Sequence, residues 1–198
     1  MSAALDEILQ AHRAGDETAA ERLVAYCRAR VYRRADQLLP DFARVARHER
    51  PSDVAQDALV GLWQALRTTR PESERHLLLL AGKKVREALY DLARRHAGQR
   101  HGLGNIESQG DVPADQHAAL AAVADVTGPA TLDDWTRFQS AIDTLPEDER
   151  EVMHLKWFVG MGEDEIAEVV GLSRSTVQRL WKAAKHGINQ AMGREQPQ

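Results

Sequence analysis

The stretch Asp164-Glu165-Ile166-Ala167-Glu168-Val169-Val170-Gly171-Leu172-Ser173-Arg174-Ser175-Thr176-Val177-Gln178-Arg179-Leu180-Trp181 reads as two helices joined by a tight turn. Ile166, Ala167 and Val170 recur at helical spacing, turning one face inward. Gly171 can take the left-handed conformation that such a turn requires. Leu172 is expected to plug the core between the two helices, and Ser173 to cap the second. That second helix has two faces. Val177, Leu180, Trp181, Ala184, Ile188 and Ala191 repeat at intervals of three and four. Arg174, Gln178, Lys182 and Lys185 lie opposite, with Ser175 and Arg179 beside them. An apolar back and a front of donors is the arrangement of a recognition helix in a DNA groove. Arg pairs with guanine through two donors, and Gln with adenine. Ser173 and Thr176, at the helix start, suit phosphate together with the backbone amides. A plain amphipathic helix pair would show the same apolar stripe. Residues 174–194, however, hold five Lys or Arg and no acid, which favours DNA.

Upstream, Thr144-Leu145-Pro146 opens a further helix. Pro suits a first helical position, and Glu147, Asp148 and Glu149 suit the positive end of the helix dipole. Val152, Met153, Leu155 and Trp157 are expected inside, before Gly160 and Gly162 break the chain. Residues 97–134 change character, being broken by Gly98, Gly102, Gly104, Gly110, Pro113, Gly128 and Pro129. This composition predicts a flexible linker with one short helical turn at 118–123.

The N-terminal part is helical throughout. A first helix is expected over about residues 5–13, broken by Gly15-Asp16. A second carries the stripe Leu23, Val24, Cys27, Val31, Ala35, Leu38 and Leu39, and Pro40 ends it. Pro51-Ser52-Asp53 starts a third, with the Ser52 hydroxyl as cap and Asp53 in the first turn. Val54, Ala58, Leu59, Leu62, Trp63 and Leu66 make its apolar face, and Asp53, Gln56, Asp57 and Gln64 the opposite one. A loop at 68–73 precedes a long helix over 74–96.

The net charge is −4, but its distribution matters more than its sum. Residues 28–50 hold seven Arg against three acids, and residues 83–100 six Lys or Arg against two. Residues 103–151 hold eleven acids and two Arg. Basic faces alternate with an acidic centre, and the acids of the linker are expected to let one domain cover another's basic face. Aromatics make up only 5% of the 198 residues, so the core is expected to rely on Leu, Val and Ala. No apolar run approaches the roughly 18 residues of a membrane span, and residues 1–10 show no secretory signal pattern. One cysteine, Cys27, leaves no intramolecular disulfide, which points to the cytoplasm.

On these residues the chain resembles the sigma-70 family of RNA polymerase sigma factors, and most closely its extracytoplasmic-function (ECF) subfamily. Residues 145–152 and 164–177 resemble the family's region 4, which binds the promoter −35 element. Asp53-Val54-Ala55-Gln56-Asp57-Ala58-Leu59-Val60-Gly61-Leu62-Trp63 looks like region 2.2, which docks on a coiled coil of the polymerase's largest subunit. The matching positions are Asp53, Gln56 and Asp57. Residues 83–95 resemble regions 2.3 and 2.4, which capture the −10 element. Lys83, Lys84, Arg86, Tyr90 and Arg94 are the candidates there, as cations and one ring for a single strand or fork. The family places aromatics in region 2.3, whereas Leu77-Leu78-Leu79-Leu80-Ala81-Gly82 has none. That leaves the loop at 68–73 as a candidate holder of a flipped base.

The resemblance implies an all-α fold of two small helical domains joined by a flexible linker. Region 2 would span 1–98, the linker 99–134, the helix-turn-helix domain 135–193 and a tail 194–198. The implied partners are core RNA polymerase, double-stranded promoter DNA, the melted −10 strand and an anti-sigma factor. No catalysis, cofactor, metal, membrane or small-molecule substrate is expected. The eight His are scattered without metal-ligand spacing, no Gly-rich phosphate loop is present, and Cys27 sits on an apolar stripe. The alternative is a helix-turn-helix regulator of the LuxR type that binds DNA without acting as a polymerase subunit.

Overall fold

A computed structural model describes residues 3–39, 50–98 and 132–193. Every regular element among them is helical. Helix α1 spans Ala3–Arg13, α2 Glu17–Leu38, α3 Pro51–Leu66 and α4 Glu74–Gly98. In the C-terminal half, α5 spans Leu132–Asp143 and α6 Glu147–Met153, with one wider π turn, His154–Phe158, continuing α6. Helices α7, Glu163–Val170, and α8, Arg174–Ala191, complete the described chain. The expected linker lies outside the described residues except at its end, where residues 132–134 form the first turn of α5. The short turn expected at 118–123, the Arg-rich segment 40–49 and the tail 194–198 also lie outside them.

Local chemistry sets most boundaries. Asp16 caps α2 by accepting the Thr18 amide at 2.9 Å. At α3 the expected cap differs. Arg50 occupies the cap position, Pro51 the first turn, and the Asp53 carboxylate accepts the Arg50 amide at 3.2 Å. The Ser52 hydroxyl therefore does not cap; it lies already inside the helix, 3.5 Å from Asp53 Oδ1. Pro146 likewise stands just outside α6, with Glu147 as the first helical residue. Gly171 closes α7 at φ 72°, ψ 30°, the left-handed conformation that a tight turn needs. Ser173 caps α8 by accepting the Thr176 amide at 3.2 Å.

Leu172 does not plug the core: it is 40% exposed, because the left-handed turn at Gly171 swings it outward. Ile166 and Val177, both fully buried, close the gap between α7 and α8 instead. Ala191, at the end of the apolar back of α8, is also exposed.

One contiguous apolar core runs from Leu5 and Leu9 through the stripe of α2 to α3, α4 and the helices of the C-terminal half. Leu23, Cys27, Leu38, Leu62, Leu66, Leu77 and Leu89 are buried in the N-terminal part. The expectation of an aliphatic core holds there and fails beyond it. Trp135, Phe138, Trp157, Phe158 and Trp181 are all buried in the C-terminal half. Trp135 stacks on Phe138 at 5.6 Å, and Phe138 meets Trp157 at 6.0 Å. Each such ring contributes about 2–3 kcal/mol by leaving water, so a small helical unit gains a core from few residues.

The two halves pack directly on each other. Helix α4 lies against the π turn, and its Gly82 approaches so closely that an added Cβ would stand 2.8 Å from Val159 Cγ2. On the other side of this seam Arg34 of α2, 7% exposed, donates through Nε to the Trp157 carbonyl.

Candidate nucleic-acid and polymerase interfaces

Helix α8 presents its candidates as the amphipathic pattern requires. Val177, Leu180, Trp181, Ala184 and Ile188 are buried, whereas Arg174, Ser175, Gln178, Arg179 and Lys182 are exposed. The cap engages Ser173 and Thr176: their hydroxyls lie 2.8 Å apart, and Ser173 Oγ is 3.0 Å from Ser175 Oγ. These hydroxyls therefore set the start of the helix. Lys185 is half-buried, its ammonium 5.8 Å from the centre of the Trp181 ring. The Lys156 ammonium lies 5.5 Å from the same ring.

The acids at the start of α7 reach across to this front. Gln178 Nε2 donates to Glu163 Oε2 at 2.6 Å. Arg174 lies 3.2 Å from Asp164 and 3.7 Å from Glu163. Lys156 donates to the other oxygen of Glu163 at 3.0 Å. The Gln178 hydrogen bond, followed by those of Lys156 and the nearby Arg174 charge, holds the Glu163 carboxyl below its ordinary range. No sequence period announces this pinning, since it joins residues fifteen apart on different helices.

Helix α4 sorts its candidates differently. Lys83, Arg86, Tyr90 and Arg94 recur at three and four, on one stripe, whereas Lys84 lies toward α3, its Cδ 3.3 Å from where a Gly61 Cβ would stand. Lys83 and Arg94 are exposed. Lys84 pairs with Glu87 at 2.7 Å, and Arg94 with Asp91 at 3.3 Å. Tyr90 is partly buried against the core. Arg86 is turned into the seam. It donates to Asp143 Oδ1 and Oδ2 at 3.0 and 3.1 Å and to the Gln139 side chain, with His154 Nε2 3.4 Å away. Burial, followed by the charge of Arg86, pushes the His154 imidazole down to about 4.

The loop at 68–73 is tied to the N-terminal bundle. Arg70 donates to the Leu66 carbonyl at 3.0 Å, and Ser73 Oγ accepts the His76 amide at 3.2 Å. Among its residues Pro71 is buried.

On α3, Asp53, Gln56 and Asp57 are exposed on one face. Val60, 48% exposed, and Trp63, 40% exposed, continue that stripe, with the Arg67 guanidinium 5.3 Å from the Trp63 ring centre. The hydrophobic period assigns Trp63 to the buried face, and the structure corrects this. Asp57 pairs with Arg95 of α4 at 3.0 Å. Asp53 has a second task, since its carboxylate satisfies the Arg50 amide at the helix start.

A family model described as ECF sigma factor matches residues 2–194. The chain belongs to the ECF sigma-factor family. Membership makes this sigma factor a transcription-initiation protein of RNA polymerase rather than an enzyme, and it does not favour the free-standing LuxR-type regulator. No curated protein matches the chain. Among the described residues no helix is long and apolar enough to cross a membrane, and no group of His, Cys, Asp and Glu is placed to hold a metal ion.

Proposed function

We propose that this sigma factor binds core RNA polymerase through the α3 face of Asp53, Gln56 and Asp57 and brings it to specific promoters. Helix α8 enters the major groove of the −35 element with Arg174, Gln178 and Arg179 toward the bases. Ser173, Ser175, Thr176, Lys182 and Lys185 face the backbone beside it. Helix α4, through Lys83, Lys84, Arg86, Tyr90 and Arg94, takes the −10 element. The two domains at 1–98 and 135–193 act as separate grips joined by the linker 99–134. Work in the cytoplasm and control by an anti-sigma factor fit the same reading.

The observation that supports it is the coexistence of two exposed faces of opposite chemistry in one chain. The α8 front is cationic and hydrogen-bonding, as a polyanion groove demands. The α3 face is acidic and amide-bearing with an exposed Trp63, as a protein partner demands. Run-off transcription with purified core enzyme on a promoter library is the direct test. Promoter-dependent transcripts that vanish without the chain are expected, together with duplex affinity that falls steeply with salt. Core enzyme that gains no promoter selectivity would refute the proposal.

A further inference from the structure

We infer that the exposed face of α2 is a binding site for single-stranded DNA, separate from the cation stripe of α4. Residues 22–35 hold five Arg and no acid. Two of these serve inside the protein: Arg34 is buried against Trp157, and the half-buried Arg30 pairs with Glu165 at 3.1 Å. Arg22, Arg28 and Arg33 are exposed. Tyr26 and Tyr32, 40% and 36% exposed, stand among them. Core packing does not account for these rings, because Leu23, Cys27, Val31, Ala35 and Leu38 already fill the inner side of α2. Ala25 and Ala29 lie between the two rings on the outer face and add no bulk there. Glu21 and Asp36 bound the patch at its ends.

The two rings are held differently. Tyr26 donates its hydroxyl to Glu74 at 2.5 Å, which fixes the end of the ring to the start of α4. Tyr32 has the Arg28 guanidinium 5.7 Å from its ring centre, so a planar ring and a charge stand together. Unpaired bases stack on exposed rings whatever their sequence, while neighbouring Arg residues draw the phosphate backbone. Charge and rings together choose the occupant. An acidic protein segment would satisfy the three exposed Arg but bring nothing planar to Tyr26 and Tyr32. Duplex DNA keeps its bases stacked inside. An unpaired strand offers phosphate and a bare base face at once. For a sigma factor that strand is the one bared when a promoter opens. The site also gives a use to the Arg-rich stretch that begins at Arg28, which the α3, α4 and α8 interfaces leave aside. It does not depend on α4 taking the −10 element.

The test titrates the full chain with fluorescent oligodeoxythymidine, read by anisotropy, and maps the contact by photocrosslinking a bromodeoxyuridine-substituted oligonucleotide. Crosslinks are expected on Tyr26 or Tyr32. Tyr26→Leu with Tyr32→Leu should weaken oligodeoxythymidine binding about five- to a hundredfold and leave duplex binding unchanged. Tyr26→Phe with Tyr32→Phe keeps both rings, loses the Glu74 bond, and should bind like the wild-type chain. Arg22→Gln, Arg28→Gln and Arg33→Gln together should lower the slope of log affinity against log salt by about 2. A leucine variant with wild-type affinity, or crosslinks confined to α4 or α8, would overturn the site, as would a wild-type chain that binds no oligodeoxythymidine. Phenylalanine variants as weak as the leucine ones would trace the loss to the Glu74 tether and overturn the stacking. Polyglutamate that displaces the oligonucleotide at equal charge would assign the face to an acidic protein surface instead. Each readout is taken without core polymerase, so its failure is separate from a failure of promoter-directed transcription.

Discussion

Gln178, on the exposed front of α8, donates its side-chain amide to Glu163 of the preceding helix at 2.6 Å. The same carboxylate takes the Lys156 ammonium at 3.0 Å and lies 3.7 Å from Arg174. One acid thus sets the posture of Gln178 and Arg174, the two residues proposed to read bases, while adding a negative charge beside the proposed DNA path. Glu163→Ala should release both. Stability is expected to fall by about 1 kcal/mol, while duplex affinity rises because a charge opposed to phosphate is gone. Chemical denaturation and a duplex titration at fixed salt check the two effects. Because the Glu163 pKa is lowered in the folded state, its stabilisation is complete above the ordinary carboxylate range and is lost as pH falls below it.

Arg179 is exposed beside the Arg174–Gln178 front of α8. If it reads a base, Arg179→Ala should weaken −35 binding by about 1–3 kcal/mol and relax selectivity at one position. A phosphate contact would instead weaken every sequence alike. Competition between single-base variants of the site distinguishes these outcomes.

Gln56 and Asp57 project from α3 without sharing the helix-start duty of Asp53. Gln56→Ala with Asp57→Ala should therefore weaken binding of core polymerase by about 1–3 kcal/mol, the range of an interface anchor. Loss of the exposed Asp57–Arg95 pair costs at most about 1 kcal/mol of fold. Asp53→Ala mixes both effects and is the poorer probe. Binding to immobilised core enzyme, read beside a melting curve, settles the point.

His154 lies against Phe158 at 5.3 Å, with Arg86, Asp143, Arg150 and Lys83 around it. Its pKa is pushed from 6.5 to about 4, so the unfolded chain binds the proton more readily than the folded one. Folding stability should then be full above pH ~6.5 and decline by on the order of 3 kcal/mol as pH falls to ~4. His154→Gln should flatten this decline in denaturant titrations across that window. An unchanged slope would assign the acid sensitivity elsewhere.

Gly171 holds φ 72° with nothing within 4 Å of an added Cβ. Gly171→Ala therefore meets no clash, and any loss comes from the backbone alone. A left-handed alanine costs about 1–2 kcal/mol, readable as a lowered melting temperature with the helical spectrum intact.

Much of the fold was legible because helix physics is local. The three-and-four stripe of Leu23, Cys27, Val31, Ala35 and Leu38 and the Gly171-Ser173 turn each declare themselves within a few residues, and the structure follows them. Where one local rule had competitors, the reading failed. Ser52 and Asp53 both suit a helix start, and the Asp53 carboxylate takes the Arg50 amide. Leu172 looks like a core residue until the turn at Gly171 directs it outward. Trp63 fits the apolar period of α3 yet sits at its exposed border.

The sequence by itself determined an all-α chain, the boundaries of most of its helices to within a few residues though not the helix Leu132–Asp143, and the family to which it belongs. Each rests on short-range periodicity, capping or a contiguous motif. Only the tertiary structure decided which candidate cations stay exposed on their own helix and which are turned into the seam between the halves. Lys83 and Arg94 remain exposed, whereas Arg86, on the same stripe of the same helix, is taken by Asp143, fifty-seven residues away. Sequence spacing fixes a side chain's place on its own helix. The partner on a neighbouring helix depends on how the halves meet, here through the bare surface of Gly82 beneath Val159.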